Sequence, residues 1–452
     1  MKRKFLVTAL GAAMFGLLPA APALAQDASE AAAVQAVLDN IWVFIAGILV
    51  FLMQAGFGLV EAGLTRAKNI ANIMAKNMAD MCVGALAFWA TGYGIAFGSD
   101  TKLMGTDAFF LSGFGDGSFD GLYTGYTPFF FQVVFAATAV TIASGAMAGR
   151  TKIQGYLIFA AVMCAFIYPM VVHSFWGGGI LNDIGIGDAL FSDFAGSTIV
   201  HSAGGWAALM GAYFLGPRIG KYDENGNPRA IPGHNIAFAV IGVFVLWFGW
   251  FGFNPGSELA ADNIVVRAGV TTLLAGAAGG MAACATMWAK TGFYDVAMTA
   301  NGILAGLVSI TAGTAAMTPF GAVVTGAVGG VIVVFSVLFF DKIRIDDPVG
   351  AVSVHGVVGV WGTLAIGLFS KYDDAFLGRD DAGLFYGGGI EQLITQAIGV
   401  VIVAAWVIVT TGILFGALKA ANMLRVPPEE EIAGLDVSEH GSAGYGLEQS
   451  YG

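Results

Sequence analysis

The segment "DFAGSTIVHSAGG", residues 193–205, decides the fold, because the segment "DDPVGAVSVHGVVG", residues 346–359, repeats its pattern. Each segment contains a histidine, His201 in the first and His355 in the second, and each histidine follows an aspartate by eight residues. Two glycines and a valine also match between the segments. The surrounding sequence is apolar and glycine-rich, as in packed membrane helices. An ionisable ring in such a helix is costly and usually marks a functional pathway.

Composition places the whole chain in a membrane. Of its 452 residues 57% are hydrophobic and 11% are charged, whereas soluble domains carry about 25% charged residues. Runs of about 20 apolar residues are long enough to cross a bilayer. We therefore predict an all-α polytopic membrane protein with eleven transmembrane helices. They lie near residues 40–64, 73–98, 128–148, 154–176, 194–215, 235–254, 264–289, 295–314, 319–340, 348–369 and 391–420.

The N-terminus reads as a secretory signal. "MKRKFLVTALGAAMFGLLPAAPALAQ" has a basic start, an apolar core and a small-residue end, which predicts cleavage after Ala25. An uncleaved extra span is the alternative. The predicted units are a signal peptide (1–25), a membrane domain (26–423) and a cytoplasmic tail (424–452). The implied location is a bacterial inner membrane, with the mature N-terminus periplasmic and the C-terminus cytoplasmic.

Charge distribution agrees with this orientation. The loops "TRAKN", "GRTK", "GPRIGKYDENGNPR", "AKTG" and "DKIR" and the C-terminal tail fall on one side, and 13 of the 20 Lys and Arg residues lie on that side or at its helix ends. Positive loops face the cytoplasm. The two histidine segments open the fifth and tenth predicted spans, and an odd offset inverts the second copy in the membrane. The pattern predicts an inverted five-helix repeat plus one extra helix, with the substrate path at the repeat interface.

The spacing between the aspartates and the histidines predicts how deep the histidines lie in the membrane. Asp193 begins its span at the outer face and Asp347 begins its span at the inner face. Eight residues of helix rise about 12 Å, so both histidines arrive near the middle of a hydrocarbon core about 30 Å thick. Aspartate is a preferred N-cap, and we expect capping to be the main role of both. At Asp193, a charge that stabilises a cation at the pore mouth is an alternative.

Two neutral imidazoles at the midplane would each offer one hydrogen-bond donor and one acceptor. They would bind a small polar molecule in a dry pore or relay a proton. A hydrogen bond between packed helices is the simpler reading of a single buried histidine. A metal site is a poor alternative, because no carboxylate or cysteine accompanies the pair. No nucleophile set, phosphate loop or metal cluster appears, so we expect no enzyme, cofactor, metal or nucleic-acid partner.

Aromatic residues concentrate at three span ends on the predicted outer side: "FFFQVVF", "FWGGG" and "WFGWFGFNPGSE". Aromatic rings often anchor helices at the membrane interface. Ring faces also attract cations by roughly 0.5–2 kcal/mol. A group of rings with one hydroxyl, that of Ser257, would hold a small cation.

These motifs, together with "GLTRAKN" and "GLDVSEHG", resemble the Amt/MEP/Rh ammonium transporter family over essentially the whole mature chain, most closely its bacterial Amt-type members. The resemblance implies an eleven-helix bundle with an inverted five-helix repeat, assembled as a homotrimer with one pore per subunit. It implies a C-terminal tail, including Asp436 and His440, that packs on the neighbouring subunit and supports regulation by a PII-type protein. His234 reads as a local helix cap, and His173 receives no role.

The resemblance also assigns site residues. Trp176, Phe135 and Ser257 match the outer ammonium site, and Asp193 matches the acid beneath it. Phe135 and Phe253 match the ring gate, and His201 and His355 match the pore-lining pair. The vestibule positions are Gln132 and Trp250.

The implied mechanism is that ammonium binds outside, loses a proton near the gate, and crosses as ammonia along the two histidines. Methylammonium is a further substrate class. An ammonium sensor with little flux and an Rh-type neutral gas channel are the alternatives. The short tail without a signalling-domain pattern favours transport over a sensor, and the tail motif and Trp176 favour the Amt type over the gas channel.

Overall fold

The computed structural model describes residues 20–99, 101–114, 118–119, 123–372 and 383–446. Within them the chain forms a helical bundle with two hairpins of two-residue strands. The α-helices are α1 (Ala20–Leu64), α2 (Ile70–Ala87), α3 (Tyr93–Phe97), α4 (Tyr126–Met147), α5 (Ile153–Val162), α6 (Tyr168–Phe175), α7 (Ala203–Leu215), α8 (Ile236–Phe253), α9 (Asn263–Thr291), α10 (Val296–Thr311), α11 (Pro319–Lys342), α12 (Val358–Phe369), α13 (Glu391–Ala420), α14 (Pro428–Ala433) and α15 (Leu435–His440). The antiparallel strand pairs are β1 (Ser118–Phe119) with β2 (Tyr123–Thr124), and β3 (Gly185–Ile186) with β4 (Ala189–Leu190).

Membrane crossing is supported by helix length and composition. In the described part of the chain, nine helical segments are long and apolar enough to span a bilayer. Two further apolar helices, α7 with 13 residues and α10 with 16, are shorter. Both fall inside predicted spans, at 194–215 and 295–314. The multi-pass helical architecture is confirmed, and the number eleven stays a prediction.

The predicted signal peptide is only partly within the described residues. Residues 1–19 lie outside them. Helix α1 begins at Ala20 and continues without a break past Ala25, the predicted cleavage position. Cleavage therefore stays a prediction.

Within the residues that the structure describes, four π-helical turns interrupt the α-helical pattern, at Phe88–Gly92, Met163–Ile167, Ser197–Ser202 and Val352–Val357. The last two contain His201 and His355. Hydrophobic periodicity did not predict these turns, because one extra residue in a short apolar run leaves no clear pattern. Such turns are frequent at functional sites.

The two histidine turns begin alike. Gly196 and Gly350 stand in the same position of the repeated motif, with φ of 110° and 84°. Glycine is the residue that adopts positive φ without steric cost. These matched glycines allow the chain to enter each turn sharply, so that the histidines point inward.

Gly205 brings the two histidine segments together. A Cβ added to Gly205 would overlap the backbone nitrogen and Cα of Gly356, the residue after His355. Glycine is therefore required where α7 crosses the second π turn, because any side chain would push the two backbones apart. This crossing sets the separation of the histidine rings.

We expect Gly205→Ala to lower the free energy of unfolding by about 1–3 kcal/mol, the usual cost of overpacking. Thermal unfolding in detergent would measure it. Gly416→Ala is the matched control, because its added Cβ would meet Phe214 at an ordinary 3.5 Å and alanine favours helix. Equal melting temperatures for Gly205→Ala and the unmutated protein would contradict the close-packing argument.

An arginine cluster lies at the predicted inner end of the bundle. Arg218 Nε lies 2.8 Å from the Asp346 carboxylate, and Arg150 donates to the Asp346 carbonyl at 2.7 Å. Burial alone would raise the pKa of Asp346, but the hydrogen bonds from Arg218 and the charge of Arg150 hold that pKa well below its usual range. The first aspartate of "DDPVG" is thus structural.

The C-terminal tail is ordered against the inner loops of its own chain. Leu435 N donates to Asn69 Oδ1 at 3.0 Å, and Asn72 N donates to Asp436 Oδ1 at 3.0 Å. The Asn72 side chain also lies 3.1 Å from His440 Nε2. Contact of the tail with a neighbouring subunit stays a prediction.

The capping role expected for His234 is wrong. Asn235 caps α8, since its side chain accepts from Phe238 N at 3.1 Å. His234 instead joins two segments, because its Nδ1 lies 2.9 Å from Thr65 O and its Nε2 lies 2.6 Å from Tyr445 OH. A residue one position before a cap is easily mistaken for it in sequence.

Candidate functional site

A column of aromatic and imidazole rings runs through the bundle. Adjacent ring centroids are 6.2, 4.2, 5.1, 5.3 and 6.1 Å apart. From the predicted outer end inward the rings are Trp176, Phe135, Phe253, His201, His355 and Phe57. A cavity lies at each end of this column. The ring column therefore runs through the apolar core from one cavity to the other.

The outer cavity has a volume of about 190 Å³. Four of its lining residues were expected from the sequence at the outer site or vestibule: Gln132, Phe135, Trp176 and Ser257. The other four are Phe97, Phe131, Phe194 and Leu259. Sequence reasoning gave these four no role, because they come from separate loops and helix ends. Five of the eight lining residues are aromatic, so a cation in this cavity would meet ring faces.

Ser257 supplies a hydroxyl whose acceptor side is available. Its Oγ donates to Phe253 O at 2.8 Å, in the turn after α8. A hydroxyl oxygen keeps its lone pairs when it donates. The ring of Trp176 is fixed in a similar way, because its Nε1 donates to Asp193 O at 2.9 Å. Ser257 and Trp176 thus present an acceptor and a π face to the cavity.

Asp193 lies behind the outer cavity and does not line it. Its carboxylate, which is fully buried, accepts four backbone N–H bonds of 2.8–2.9 Å, from residues 196–199. Asp347 accepts from Gly350 N and Val352 N in the second segment. Both aspartates therefore order the turn that carries the histidine. Asp193 reaches the outer site through Trp176.

Phe135 and Phe253 close the space below the outer cavity. Their centroids are 4.2 Å apart with planes inclined by 30°, and both side chains are fully buried. The two rings come from α4 and the last residue of α8. A hydrated ion would have to displace them to pass.

His201 and His355 meet directly beneath these rings. Their Nδ1 atoms are 3.2 Å apart, and the side chains are buried in the apolar core. One Nδ1 must donate and the other accept, so a neutral pair consists of two different tautomers. His201 Nε2 is buried and has no hydrogen-bond partner among the described residues. The pair therefore has one buried polar atom that a small polar molecule could bond.

Trp250, which was expected in the vestibule, does not line the outer cavity. It stacks on His201 with centroids 5.1 Å apart, and its Nε1 donates to Thr311 at 3.0 Å. Trp250 precedes Phe253 by one helical turn on α8, which carries it deeper than the gate. Its place is beside the histidine pair.

The inner cavity is small, about 20 Å³, and His355 lines it together with Glu61, Thr141 and Asn301. A space of this size holds about one water-sized molecule. Glu61 was not singled out from the sequence. Its charge within an apolar span was a signal that could have identified it.

Glu61 belongs to a buried charge cluster. Lys76 Nζ lies 3.8 Å from the Glu61 carboxylate, and Ser144 Oγ donates to that carboxylate at 2.8 Å. Asp80, one turn farther along α2, accepts from Tyr156 OH at 2.7 Å. All three charged side chains are almost fully buried. Charged groups are tolerated in this buried position because each has an ion-pair or hydrogen-bond partner.

Comparison with known proteins gives a consistent result. The family model described as Ammonium Transporter Family matches residues 41–445. The chain is 46% identical over 418 residues to "Ammonium transporter Amt2" of Archaeoglobus fulgidus, covering 90% of this chain and 88% of that protein. It is 38% identical over 411 residues to "Ammonium transporter 1 member 1" of Arabidopsis thaliana, covering 85% and 80%.

Solved structures show the same similarity. A structure titled "Sensor Amt Protein" superposes with a TM-score of 0.83 at 37% identity, covering 90% of this chain and 99% of that one. The crystal structure of Candida albicans Mep2 superposes with a TM-score of 0.79 at 29% identity, covering 87% of each chain. The named relatives are transporters rather than enzymes.

Proposed function

The chain belongs to the ammonium transporter family, and from that premise we propose that it carries ammonium across a membrane as ammonia plus a released proton. Ammonium binds in the outer cavity among Phe135, Trp176 and Ser257. It loses its proton near the Phe135–Phe253 gate, and the proton crosses separately along the hydrogen-bonded His201–His355 pair, so that ammonia and one positive charge both reach the inner side. Ammonia then passes His201 and His355 and leaves through the inner cavity.

The ring column between two cavities is the observation that carries this proposal. The outer end offers ring faces and one hydroxyl, which suit a cation. The middle of the column contains two imidazoles, which can be neutral, packed among apolar side chains. This environment suits an uncharged polar molecule. A site that changes from cation-binding to ammonia-binding along its length matches a substrate that can lose a proton.

Selectivity follows from the same arrangement. Potassium has no proton to lose, so it would cross the column as a bare charge, at a large desolvation cost. Ammonium is desolvated as a cation only at the outer site. It then passes the rings as neutral ammonia. Methylammonium is a further substrate within the proposal, because it loses a proton in the same way.

The proposed assembly includes eleven spans with an inverted five-helix repeat, and a homotrimer with one pore in each subunit. We place it in a bacterial inner membrane, with a periplasmic N-terminus and a cytoplasmic tail. The matched Asp, Gly and His of the two π turns support the repeat. The tail packed on the inner loops supports a regulatory role, with a PII-type protein as the proposed partner.

Two other functions are alternatives to ammonium transport. An ammonium sensor with little flux is favoured by the similarity to the structure titled "Sensor Amt Protein". A neutral gas channel would use the same column without moving charge. Both alternatives place ammonium or ammonia at this site. A sensor would move little ammonia and little charge across the membrane, whereas a gas channel would move ammonia without charge.

We expect Trp176→Leu to raise the half-saturating ammonium concentration about fivefold to thirtyfold, because a cation–π contact worth roughly 1–2 kcal/mol is lost. The current recorded from proteoliposomes at increasing external ammonium concentrations would measure it. Trp288→Leu is the matched control, since Trp288 is 61% exposed on α9 and outside the column. An unchanged half-saturation for Trp176→Leu would argue against the proposed outer site.

A further inference from the structure

In the described part of the chain, a carboxylate lines the inner cavity and none lines the outer one. Glu61 on α1 shares the wall of the inner cavity with His355, and its side chain is almost fully buried. Phe57 precedes Glu61 by one helical turn, lines the same cavity, and places its ring 6.1 Å from that of His355. The two ends of the ring column therefore offer a ligand different chemistry.

The Glu61 carboxylate has acceptor capacity left for a ligand. Ser144 Oγ donates to one of its oxygens at 2.8 Å, and Asn77 Nδ2 donates to the other at 3.3 Å. The Lys76 ammonium lies 3.8 Å from the carboxylate, beyond hydrogen-bond distance, and donates instead to Ser144 O at 2.9 Å. An ionised carboxylate offers about four lone-pair sites. Glu61 can therefore accept a further N–H bond from a molecule in the cavity.

The negative charge of Glu61 is only partly compensated by the protein. Lys76 is shared by two buried carboxylates, because it interacts with Asp80 as well as with Glu61. Asp80 accepts from Tyr156 OH at 2.7 Å. A further cation, Arg150, donates to the backbone oxygens of residues 146, 148, 216 and 346. Since buried charges require partners, a cation next to Glu61 would stabilise this cluster.

The size and the remaining wall of the inner cavity suit ammonium. Its volume of about 20 Å³ holds one water-sized molecule, and ammonium is of that size. Thr141, on the wall, donates to Asn77 Oδ1 at 2.9 Å, so its hydroxyl oxygen keeps lone pairs for the N–H of a ligand. The ring of Phe57 adds a π surface that attracts cations. A water molecule would also fit, but it would leave the charge of Glu61 uncompensated.

We propose that Glu61 makes the inner cavity a second ammonium site, where ammonia and the separately transferred proton recombine before ammonium leaves the column. This inference rests on the proposed function, which delivers both to His355. In the recombination the ring N–H bond of His355 breaks and its electron pair stays on the ring nitrogen, while the lone pair of ammonia forms the new N–H bond. The Glu61 carboxylate stabilises the cation as it forms.

Binding at this site is measurable without transport. The sample is the full-length protein in lipid bilayers with ¹⁵N-ammonium and with glutamate labelled with ¹³C at the carboxyl carbon. Solid-state NMR detects the dipolar coupling between a bound ammonium nitrogen and a carboxyl carbon beside it. We expect a coupled glutamate signal that Glu61→Gln removes. Glu431→Gln is the matched control and should keep that signal, because Glu431 is also almost fully buried but pairs with Arg425 outside the cavity.

Two results of this experiment would overturn the site. One is the absence of any coupled glutamate signal in the unmutated protein, and the other is a set of coupled signals that Glu61→Gln leaves unchanged. If Glu61→Gln does not fold because Lys76 has lost its ion-pair partner, the double variant Glu61→Gln with Lys76→Met takes its place. That variant removes both charges of the pair and still lacks the carboxylate.

The transport current separates substrate binding from a purely structural role. We expect Glu61→Gln to lower the maximal ammonium current about tenfold, the effect of losing one hydrogen bond to a charged group. The half-saturating external concentration should stay unchanged, because the outer cavity is intact. An unchanged maximal current at equal amounts of folded protein would overturn the role of Glu61. If the unmutated protein carries no ammonium current, the proposed function fails, and the NMR coupling still decides whether the inner cavity binds ammonium.

Discussion

Replacing His201 with alanine is expected to lower the ammonium current about fivefold to thirtyfold. The substitution removes the partner of His355 Nδ1, 3.2 Å away, together with the ring that stacks on Phe253 and Trp250. Ammonia would then cross this part of the column without the Nε2 of His201 as a polar partner. Loss of one or two hydrogen bonds, each worth about 1 kcal/mol, corresponds to a factor of about five to thirty.

The control for this prediction is His234→Ala. That histidine is also bonded at both nitrogens, but it lies at the inner surface, away from the column. Currents from proteoliposomes with equal amounts of inserted protein, checked by thermal unfolding, would separate transport from folding. Equal ammonium currents for the unmutated protein and His201→Ala would argue against conduction along the histidines.

Replacing Lys76 with methionine is expected to lower the free energy of unfolding by about 3–5 kcal/mol, the usual cost of leaving a buried charge without its partner. Lys76 is fully buried, 3.8 Å from the Glu61 carboxylate, and it donates to Ser144 O at 2.9 Å. Without it, Glu61 would remain buried beside Asp80 with no positive charge close by. Unfolding in detergent, followed by circular dichroism, would measure the loss.

Two variants test that interpretation. Adding Glu61→Gln to Lys76→Met removes the stranded charge and should recover much of the lost stability. The exposed pair of Lys102 and Asp183, with side chains 60% and 63% accessible, is the matched control. Lys102→Met should cost less than about 1 kcal/mol. Similar losses for Lys76→Met and Lys102→Met would show that burial does not govern the cluster.

Much of the fold was predictable from particular features of the sequence. Apolar runs identified the membrane helices, and the family motifs identified the family that the comparisons later showed. The repeated Asp and His predicted that two histidines approach each other, and the structure brings His201 and His355 into contact. Residues of this kind are predictable because their positions follow from spacing along a helix and from the thickness of a bilayer.

Other features depend on contacts between distant segments, which spacing does not reveal. The π turns add one residue to a helix without changing its composition. The family resemblance placed Trp250 in the vestibule, although one helical turn before Phe253 carries it to His201. His173 contacts two carbonyl oxygens more than seventy positions earlier in the chain. Glu61, Lys76 and Asp80 were visible as charges in apolar spans, but their mutual contacts follow only from packing.

The most direct test of the central claim is the current recorded on a solid-supported membrane when proteoliposomes containing the full-length protein meet an ammonium jump, with a potassium jump as control. The account predicts a saturable ammonium current, no potassium current, and a reduced ammonium current for His201→Ala. An internal pH change without current would instead indicate a neutral gas channel. Tight ammonium binding with neither signal would contradict transport and indicate a sensor.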